Sequence, residues 1–310
     1  MSILEAIIQG IVQGATEFLP VSSSGHLAVT QHVLGVSLDS IFFDILLHVG
    51  TLIAVCFVYY KVIGRLIVEF FRSINDIFHR RFSFKNMSQD RRLLVMLVVG
   101  LIPLFLLFLP IPGTDMKLKD LSDMWATDSN IMVEGIAFLI TSLLLFLAIG
   151  ISGKNRTPKH GAHFSNEKNR TELRFSDAIV IGCTQLVAAL LPGLSRSGST
   201  MSSGMMKGVN KQAALDYSFV LGIPTILAAA VFSVKDLTSA DMTLSVGVIV
   251  AGVVSSAIVG FLAIKLFKWI VSSDKLIIFA VYTLILGIAC LVVSVIEFKS
   301  GVNIFTKLPL

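Results

Sequence analysis

The stretch that decides the fold is Glu17-Phe-Leu-Pro-Val-Ser-Ser-Ser-Gly-His26, where an apolar segment ends at a charged turn rich in hydroxyl groups. A second stretch, Leu191-Pro-Gly-Leu-Ser-Arg-Ser-Gly-Ser-Thr200, repeats this composition, and its Leu-Pro pair lies 172 positions after the first. Two interrupted apolar segments of this kind are typical of a polar site inside a membrane protein. The two turns are therefore the predicted location of the functional residues.

The similarity of the two segments extends beyond the turns. Identical residues recur at the same offset in four further pairs: Gly10 and Gly182, Gln13 and Gln185, Asp44 and Asp216, and Gly50 and Gly222. A one-residue insertion aligns Ser22-Ser-Ser-Gly25 with Ser195-Arg-Ser-Gly198. The pattern predicts a single membrane domain over residues 1–310 with an internal duplication. The predicted order is repeat one at about 1–151, a loop at 152–175 and repeat two at about 176–297.

The composition is that of an integral membrane protein. Hydrophobic residues make up 55% of the 310 residues and charged residues 15%, and the mean hydropathy is +0.84. These values exclude an ordinary soluble globular domain. Six apolar runs are long enough to cross the roughly 30 Å of hydrocarbon in a bilayer. They are Ile41–Tyr60, Leu93–Pro110, Ile131–Ile151, Ala213–Val234, Met242–Ile264 and Leu276–Ile296.

Two shorter apolar segments, Ile3–Pro20 and Ala178–Pro192, each end at a proline that serine and glycine residues follow. Segments of this length are typical of re-entrant hairpins that line a cavity. No basic region precedes Ile3–Pro20, so this segment is expected to belong to the mature fold. The expected fold is an all-α polytopic membrane protein with six transmembrane helices plus two re-entrant helical hairpins in an inverted-topology repeat.

The charged loops predict the orientation. Three basic loops, at Lys61–Arg92, Ser152–Phe175 and Lys265–Lys275, alternate with acidic or nearly neutral loops at Ile111–Asn130 and Lys235–Asp241. The positive-inside rule places the basic loops in the cytoplasm and both termini on the outer face of a multi-pass plasma membrane protein. Because three crossings separate the hairpins, the second is inverted relative to the first. We expect their turns to meet near mid-membrane in one cavity that opens to the outer face.

Two further compositional features narrow the function. Cys56, Cys183 and Cys290 are isolated in apolar segments without metal-ligand spacing, which indicates buried thiols. The net charge of +5 is explained by the basic loops, so it does not imply nucleic-acid binding.

The ionisable residues of the turns are the strongest functional signal. A charged side chain at the membrane centre costs about 2.5 kcal/mol or more, so Glu17, His26 and Arg196 are functional candidates. The alternative is that Glu17 and Arg196 form only a structural ion pair, which would not need the surrounding hydroxyl groups. Any one hydroxyl could be only a helix cap. The hydroxyl-bearing residues are Ser22, Ser23, Ser24, Ser195, Ser197, Ser199, Thr200, Ser202 and Ser203.

Together these residues predict a phosphate site. Gly25 and Gly198 lie where backbone N–H groups can form an anion-binding nest at a helix start. Arg196 offers a planar guanidinium that can bind phosphate oxygens in pairs. Glu17 and His26 can act as an acid/base pair or as metal ligands, and Ser23 is a candidate nucleophile one helical turn before His26.

The stretches Gln13-Gly-Ala-Thr-Glu-Phe-Leu-Pro-Val-Ser-Ser-Ser-Gly-His26 and Pro192-Gly-Leu-Ser-Arg-Ser-Gly-Ser-Thr200 closely resemble the signatures of the undecaprenyl-diphosphate phosphatase family, integral-membrane enzymes linked to bacitracin resistance. The resemblance covers nearly the whole chain. It implies hydrolysis of a C55 polyprenyl diphosphate to the monophosphate and inorganic phosphate, which recycles the lipid carrier of cell-wall synthesis in the bacterial plasma membrane. It also implies a divalent cation, Mg²⁺ or Ca²⁺, as cofactor.

By this resemblance, Glu17 matches the second acid of the family's (Glu/Gln)-x-x-x-Glu signature, Ser23 and His26 match its catalytic serine and histidine, and Arg196 matches its phosphate-binding arginine. Gln13 stands where many members have glutamate, so a metal site at Glu17 would have one carboxylate fewer. The residues expected to bind substrate are Gln13, Ser22, Ser24, Gly25, Ser195, Ser197, Gly198, Thr200 and His48. His48 could instead be a packing histidine, and Asp44 and Asp216 are interpreted as caps or as partners of hydroxyl groups in the facing turn.

Two other functions can be weighed against the pattern of repeated, interrupted apolar segments: lipid transport and ion conduction. Inverted repeats with broken helices are typical of secondary transporters, so a lipid-phosphate flippase could use the same cavity. Transport alone would not require His26 and Glu17 at one turn. An ion channel is disfavoured because no repeated ring of one residue type is present. The expected partners are the polyprenyl diphosphate and membrane lipids, and the sequence leaves open whether the protein is a monomer or a homodimer.

Overall fold

A computed structural model of the protein describes residues 1–35, 41–84, 87–126, 130–154, 170–233 and 244–308. These residues form twelve α-helices and one 3₁₀ helix. Most of the predicted basic loop at 152–175 and all of the predicted neutral loop at 235–241 lie outside the described residues. The expected all-α architecture is confirmed for the described part of the chain.

The first repeat contains seven of the α-helices. They are α1 (Ile3–Glu17), α2 (Ser23–Leu34), α3 (Ile41–Val58), α4 (Tyr60–Phe78), α5 (Gln89–Leu101), α6 (Leu118–Ala126) and α7 (Met132–Lys154). The second repeat contains five: α8 (Phe175–Leu190), α9 (Arg196–Met206), α10 (Lys211–Ser233), α11 (Val246–Ser272) and α12 (Ile277–Ser300). The helix pairs α1–α2 and α8–α9 are the two predicted re-entrant hairpins.

Five helical segments of the described chain are long and apolar enough to cross a membrane. They are Gln89–Phe108, Met132–Ser152, Lys211–Phe232, Val246–Ser272 and Ile277–Ser300. A sixth candidate is the pair of α3 and α4, whose axes differ by 85° across a break at Tyr59. The described chain therefore has five candidate crossings, or the six predicted when the bent pair is counted as one span.

The prediction of a loop at Lys61–Arg92 is wrong, because most of this segment is α4 and the beginning of α5. Two ion-pair contacts from Arg91 of α5 bind α4: Nε lies 2.5 Å from Glu69 Oε1, and Nη2 lies 2.6 Å from Asp76 Oδ2. Arg65 of α4 adds a contact of 3.1 Å to Asp90. These charges therefore join two helices.

Three other boundaries differ from the predictions. The second predicted span is α-helical only as far as Leu101 and continues as a 3₁₀ helix at Ile102–Phe108, because Pro103 has no N–H group to continue the α-helical ladder. The predicted loop at Ile111–Asn130 contains α6. The predicted basic loop after Ile264 is largely helical, since α11 continues to Ser272.

Each re-entrant helix packs against a helix from the other half of the chain, α1 against α11 and α8 against α5. The repeat-related glycines Gly10 and Gly182 permit this close approach. A Cβ atom on Gly10 would lie 2.5 Å from the Gly252 carbonyl oxygen, and one on Gly182 would lie 2.5 Å from the Gly100 carbonyl oxygen. Both contacts therefore connect the two halves of the chain.

The apolar core holds the first turn in place. Phe18, which directly follows Glu17, is 1% exposed and packs edge to face against Phe219 of α10 at 5.2 Å between ring centroids. Phe219 in turn contacts Phe267 of α11, and Phe267 contacts Phe279 of α12. The carboxyl-terminal end of α1 is thus linked through Phe219 to aromatic contacts that extend across α10, α11 and α12.

Candidate active site

The two turns meet, as the sequence predicts. The Ser197 hydroxyl group of the second turn donates to the Leu19 carbonyl oxygen of the first at 3.0 Å. The Gly193 amide of the second turn donates to the Ser24 hydroxyl group of the first at 3.3 Å. The two turns are therefore joined by hydrogen bonds that involve the first residues of α2 and α9.

The helix starts of the two turns are built in the same way. The Ser22 hydroxyl group accepts from the Gly25 amide at 3.2 Å, and the Ser195 hydroxyl group accepts from the Gly198 amide at 3.0 Å. Ser22 and Ser195 are thus the N-caps of α2 and α9. Ser22 adopts a φ of 71°, which is uncommon for a residue with a side chain and often marks a functional turn.

Backbone N–H groups at the two helix starts are divided between capping and free positions. The N–H groups of Gly25 and Gly198 donate to the capping hydroxyl groups of Ser22 and Ser195. The N–H groups that have no hydrogen-bond partner within the described residues are those of Ser23 and Ser24 on α2 and of Arg196 and Ser197 on α9. Helix starts with free N–H groups attract anions. The nest therefore lies one or two residues before each glycine.

Glu17 is the centre of the site. Its Oε1 atom accepts from Arg196 Nη2 at 2.5 Å. Its Oε2 atom accepts from Ser23 Oγ at 2.6 Å and from Gln13 Nε2 at 2.8 Å, and it lies 3.4 Å from His48 Nε2. Glu17 is 6% exposed, and a carboxylate buried to this degree needs such partners. Both repeats contribute to its stabilisation.

A cavity of about 230 Å³ opens beside Glu17. Its polar wall includes the N-terminal residues of both helix starts, Ser22, Ser23, Ser24, Ser195, Arg196 and Ser197, together with His48 and Thr225. Its apolar wall consists of Ile45, Ala188, Leu194, Ile226 and Ala229. A cavity with one polar and one apolar wall suits a ligand that carries a charged head and a hydrocarbon tail.

Several predicted site residues lie outside this cavity wall. The ring of His26 stacks on Tyr282 of α12, and its Nε2 atom is 2.7 Å from the Tyr282 hydroxyl group. Its Nδ1 atom is 2.7 Å from the Ser22 carbonyl oxygen. Thr200 is buried and pairs with Ser218 at 2.6 Å. The expected meeting of Glu17 and Arg196 is therefore confirmed, whereas His26 contacts neither of them.

Sequence reasoning missed four residues of this region: Thr225, Tyr282, Gln185 and Ser218. The offset between the repeats was a signal for Gln185, which is the counterpart of Gln13. Each of these glutamines is buried with one side-chain atom unpartnered in the described residues, Oε1 of Gln13 and Nε2 of Gln185. Thr225 lies 3.5 Å from Gln185 Oε1.

The interpretation of Asp44 and Asp216 as partners of hydroxyl groups in the facing turn is not supported by the described contacts. Asp44 accepts from the Gln31 side chain at 3.3 Å. Asp216 accepts from the Tyr59 hydroxyl group at 2.5 Å and lies 3.1 Å from Lys268 Nζ. These aspartates instead stabilise helix packing away from the turns.

The donor atoms of the site do not fit a resident divalent cation. Of the residues that the structure describes, Glu17 is the one carboxylate on the cavity wall, and both of its oxygen atoms already accept hydrogen bonds. Among the described residues, no group of three or more His, Cys, Asp or Glu side chains could hold a metal ion. Hard cations prefer several oxygen ligands, and the Arg196 guanidinium beside Glu17 opposes a second positive charge.

Comparison with known proteins identifies the family of the chain. The chain is 38% identical to the undecaprenyl-diphosphatase of Alkaliphilus metalliredigens over 291 residues, which cover 93% of this chain and 97% of the relative. It is 35% identical to the undecaprenyl-diphosphatase of Methanosphaera stadtmanae over 96% of this chain and 99% of that protein. The family described as bacitracin resistance protein BacA matches residues 6–289. This chain, from its first re-entrant helix to α12, therefore belongs to the bacitracin resistance protein BacA family.

Proposed function

We propose that this membrane protein hydrolyses the terminal phosphate of undecaprenyl diphosphate, giving undecaprenyl monophosphate and inorganic phosphate. The observation that carries the proposal is the buried Glu17 carboxylate, which binds Arg196 of one turn and Ser23 of the other. This reaction regenerates the lipid carrier for cell-wall synthesis. It also confers bacitracin resistance, in agreement with the family described above.

The cavity suits both ends of this substrate. In this proposal the diphosphate binds Arg196 and the free N–H groups of the two helix starts, which supply positive potential. The prenyl chain leaves along the apolar wall at Ile45 and Ile226 and continues between helices in the bilayer. Such a division between a polar head site and an apolar exit explains why the site lies inside the membrane domain.

The proposed first step is attack by Ser23 on the terminal phosphorus. Ser23 Oγ donates its hydrogen bond to Glu17 Oε2 at 2.6 Å, so the carboxylate is placed to take the hydroxyl proton. The Oγ–P bond forms as the bond from phosphorus to the bridging oxygen breaks, and the electron pair leaves on the monophosphate. Arg196 and the helix N–H groups stabilise the charge on the transferred phosphoryl group, which is the main task of a phosphoryl-transfer site.

His26 is assigned a positioning role. It holds the Ser22 carbonyl oxygen through Nδ1 and is itself held by Tyr282. Since Ser22 caps α2, this contact fixes the orientation of the helix start that carries Ser23. The assignment predicts that loss of His26 lowers activity through the geometry of Ser23.

We also propose that a divalent cation, where activity requires one, arrives as the counter-ion of the diphosphate. The described site offers a single carboxylate, and that carboxylate already forms an ion pair with Arg196.

The proposed orientation, with both termini and the cavity opening on the outer face, rests on the basic segments of the sequence. Cysteine accessibility at Met1 and Gly301, from each side of the membrane, tests it. Light scattering of the detergent complex distinguishes the monomer from the homodimer.

The test is phosphate release from undecaprenyl diphosphate by the purified protein in detergent, wild type against Glu17→Ala, with and without EDTA. Release that depends on Glu17 supports the hydrolase. The alternative, a lipid-phosphate flippase, is favoured by one observation, namely that two inverted hairpins meet at a shared cavity. A flippase would bind the lipid without releasing phosphate in detergent, and this outcome would replace the hydrolase.

A further inference from the structure

In the part of the chain that the structure describes, His48 is the histidine that reaches the Glu17 carboxylate. It lies on α3 and lines the cavity, and its side chain is 29% exposed. Its Nδ1 atom is 2.7 Å from the Asp44 carbonyl oxygen. A carbonyl oxygen can only accept a hydrogen bond, so Nδ1 carries the hydrogen atom. The neutral ring therefore has its free electron pair on Nε2, which is the atom 3.4 Å from Glu17 Oε2.

The same carboxylate oxygen contacts the proposed nucleophile. Glu17 Oε2 accepts from Ser23 Oγ at 2.6 Å, whereas Oε1 is held by Arg196. One oxygen atom therefore lies within reach of both the serine hydroxyl group and the imidazole nitrogen. A proton that leaves Ser23 arrives on the atom next to a free nitrogen base.

We propose that His48 takes from Glu17 the proton that Ser23 releases, and so restores the Glu17 carboxylate between the two halves of the reaction. The proposal rests on the proposed function, because it requires a phosphorylated Ser23. It assigns the proton-carrying role to a histidine on α3, separate from both signature turns.

The balance of protons and bonds gives His48 a specific step. In the first half, the Ser23 proton passes through Glu17 to His48 Nε2, which becomes imidazolium, while prenyl monophosphate leaves with the electron pair of the broken P–O bond. In the second half, Glu17 accepts a proton from the attacking water as the new O–P bond forms. The Oγ–P bond then breaks, and Ser23 Oγ takes that proton from Glu17. The proton stored on His48 is released to the phosphate product or to water.

Without His48, the first half can still occur, because the Glu17 carboxylate is present at its start. Glu17 then stays protonated and cannot activate water for the second half. Removal of His48 should therefore cause the phosphorylated serine to accumulate, which a purely structural role of His48 would not do.

The experiment compares wild type with His48→Gln, as the full chain in detergent with undecaprenyl diphosphate. We expect steady-state phosphate release to fall about 100-fold, the usual contribution of a proton-transfer group. One equivalent of prenyl monophosphate should still form rapidly, and intact mass should show a phosphorylated protein. His79→Gln is the matched control. The Nδ1 atom of His79 makes the same bond to a carbonyl oxygen, that of Asn75 at 2.8 Å, on an exposed residue outside the cavity.

A second variant, His48→Ala, tests the proposal even if His48→Gln does not fold. Free imidazole added to His48→Ala should restore phosphate release and remove the phosphorylated form. Wild-type turnover in His48→Gln overturns the proposal, and so does lost turnover that shows neither a phosphorylated protein nor rescue by imidazole. Absence of phosphate release from the wild type itself would instead refute the proposed function.

Discussion

Arg196 and Glu17 are separated by 179 positions in the chain, yet their side chains meet at 2.5 Å between Nη2 and Oε1. Arg196 is the first residue of α9, and Glu17 is the last residue of α1. The ion pair therefore joins the helix start of one repeat to the helix end of the other. It places the positive charge needed for phosphate beside the carboxylate that activates Ser23.

Arg196→Ala is expected to reduce phosphate release by at least tenfold, which corresponds to about 1.4 kcal/mol of transition-state stabilisation. The variant also leaves the Glu17 carboxylate buried without a cation, at a cost of about 3–5 kcal/mol in the free energy of unfolding. Phosphate release and thermal unfolding in detergent measure the two effects. Arg65→Ala is the control, since its ion pair with Asp90 is exposed. Equal losses in both variants would contradict the role of Arg196.

Glu17→Gln is expected to lower turnover about 100-fold, because the amide keeps the size of the side chain but cannot accept the Ser23 proton. Binding of the lipid should be largely kept, since Arg196 is then free to bind the diphosphate. A titration of lipid binding together with steady-state rates separates these effects. Full turnover in Glu17→Gln would show that another group activates the nucleophile.

Ser23→Ala is expected to abolish the phosphorylated intermediate and nearly all phosphate release. Ser23 is the serine of the first turn whose hydroxyl group donates to Glu17. Ser272→Ala is the control, because the Ser272 hydroxyl group donates to the Trp269 carbonyl oxygen on an exposed helix end. Rapid-quench analysis of the protein checks the intermediate. Retained turnover in Ser23→Ala would favour direct attack by water.

Gly10→Ala and Gly182→Ala are expected to destabilise the protein by about 1–3 kcal/mol, because each new methyl group would meet a carbonyl oxygen of the facing helix at 2.5 Å. Gly64→Ala on α4 is the matched control. A Cβ atom there meets nothing within 4 Å, and alanine favours the helix by up to about 1 kcal/mol. Thermal unfolding of the three variants tests the interpretation. A stabilised Gly10→Ala would show that the two helices separate without cost.

Much of the fold follows from local composition. The long apolar helices α7, α10 and α12 end close to the predicted boundaries, because their length is set by the thickness of the bilayer. The shape of the segment at Lys61–Arg92 could not be predicted in this way. Its many charged residues are typical of a loop, whereas contacts of Arg91 with Glu69 and Asp76 stabilise a helix there.

The sequence predicts which residues form the candidate site, but it does not predict the role of each residue. Ser22, Ser23 and Ser24 are the same type of residue, but the side chains of successive residues at a helix start point in different directions. Ser22 caps the helix, Ser23 binds Glu17 and Ser24 binds the Gly193 amide. No local pattern distinguishes these three serines.

The sequence by itself determined the membrane class, the internal similarity of its two halves and the two turns that form the site, because hydrophobic length, charge and repeated residue types are local properties of the chain. Only the tertiary structure decided which side chains share an oxygen atom of Glu17. His26 lies three positions from Ser23 but contacts Tyr282, whereas His48 arrives at Glu17 from another helix. The rotation of α3 about its own axis determines that His48 faces Glu17. That rotation is set by the packing of α3 against α10 and α11.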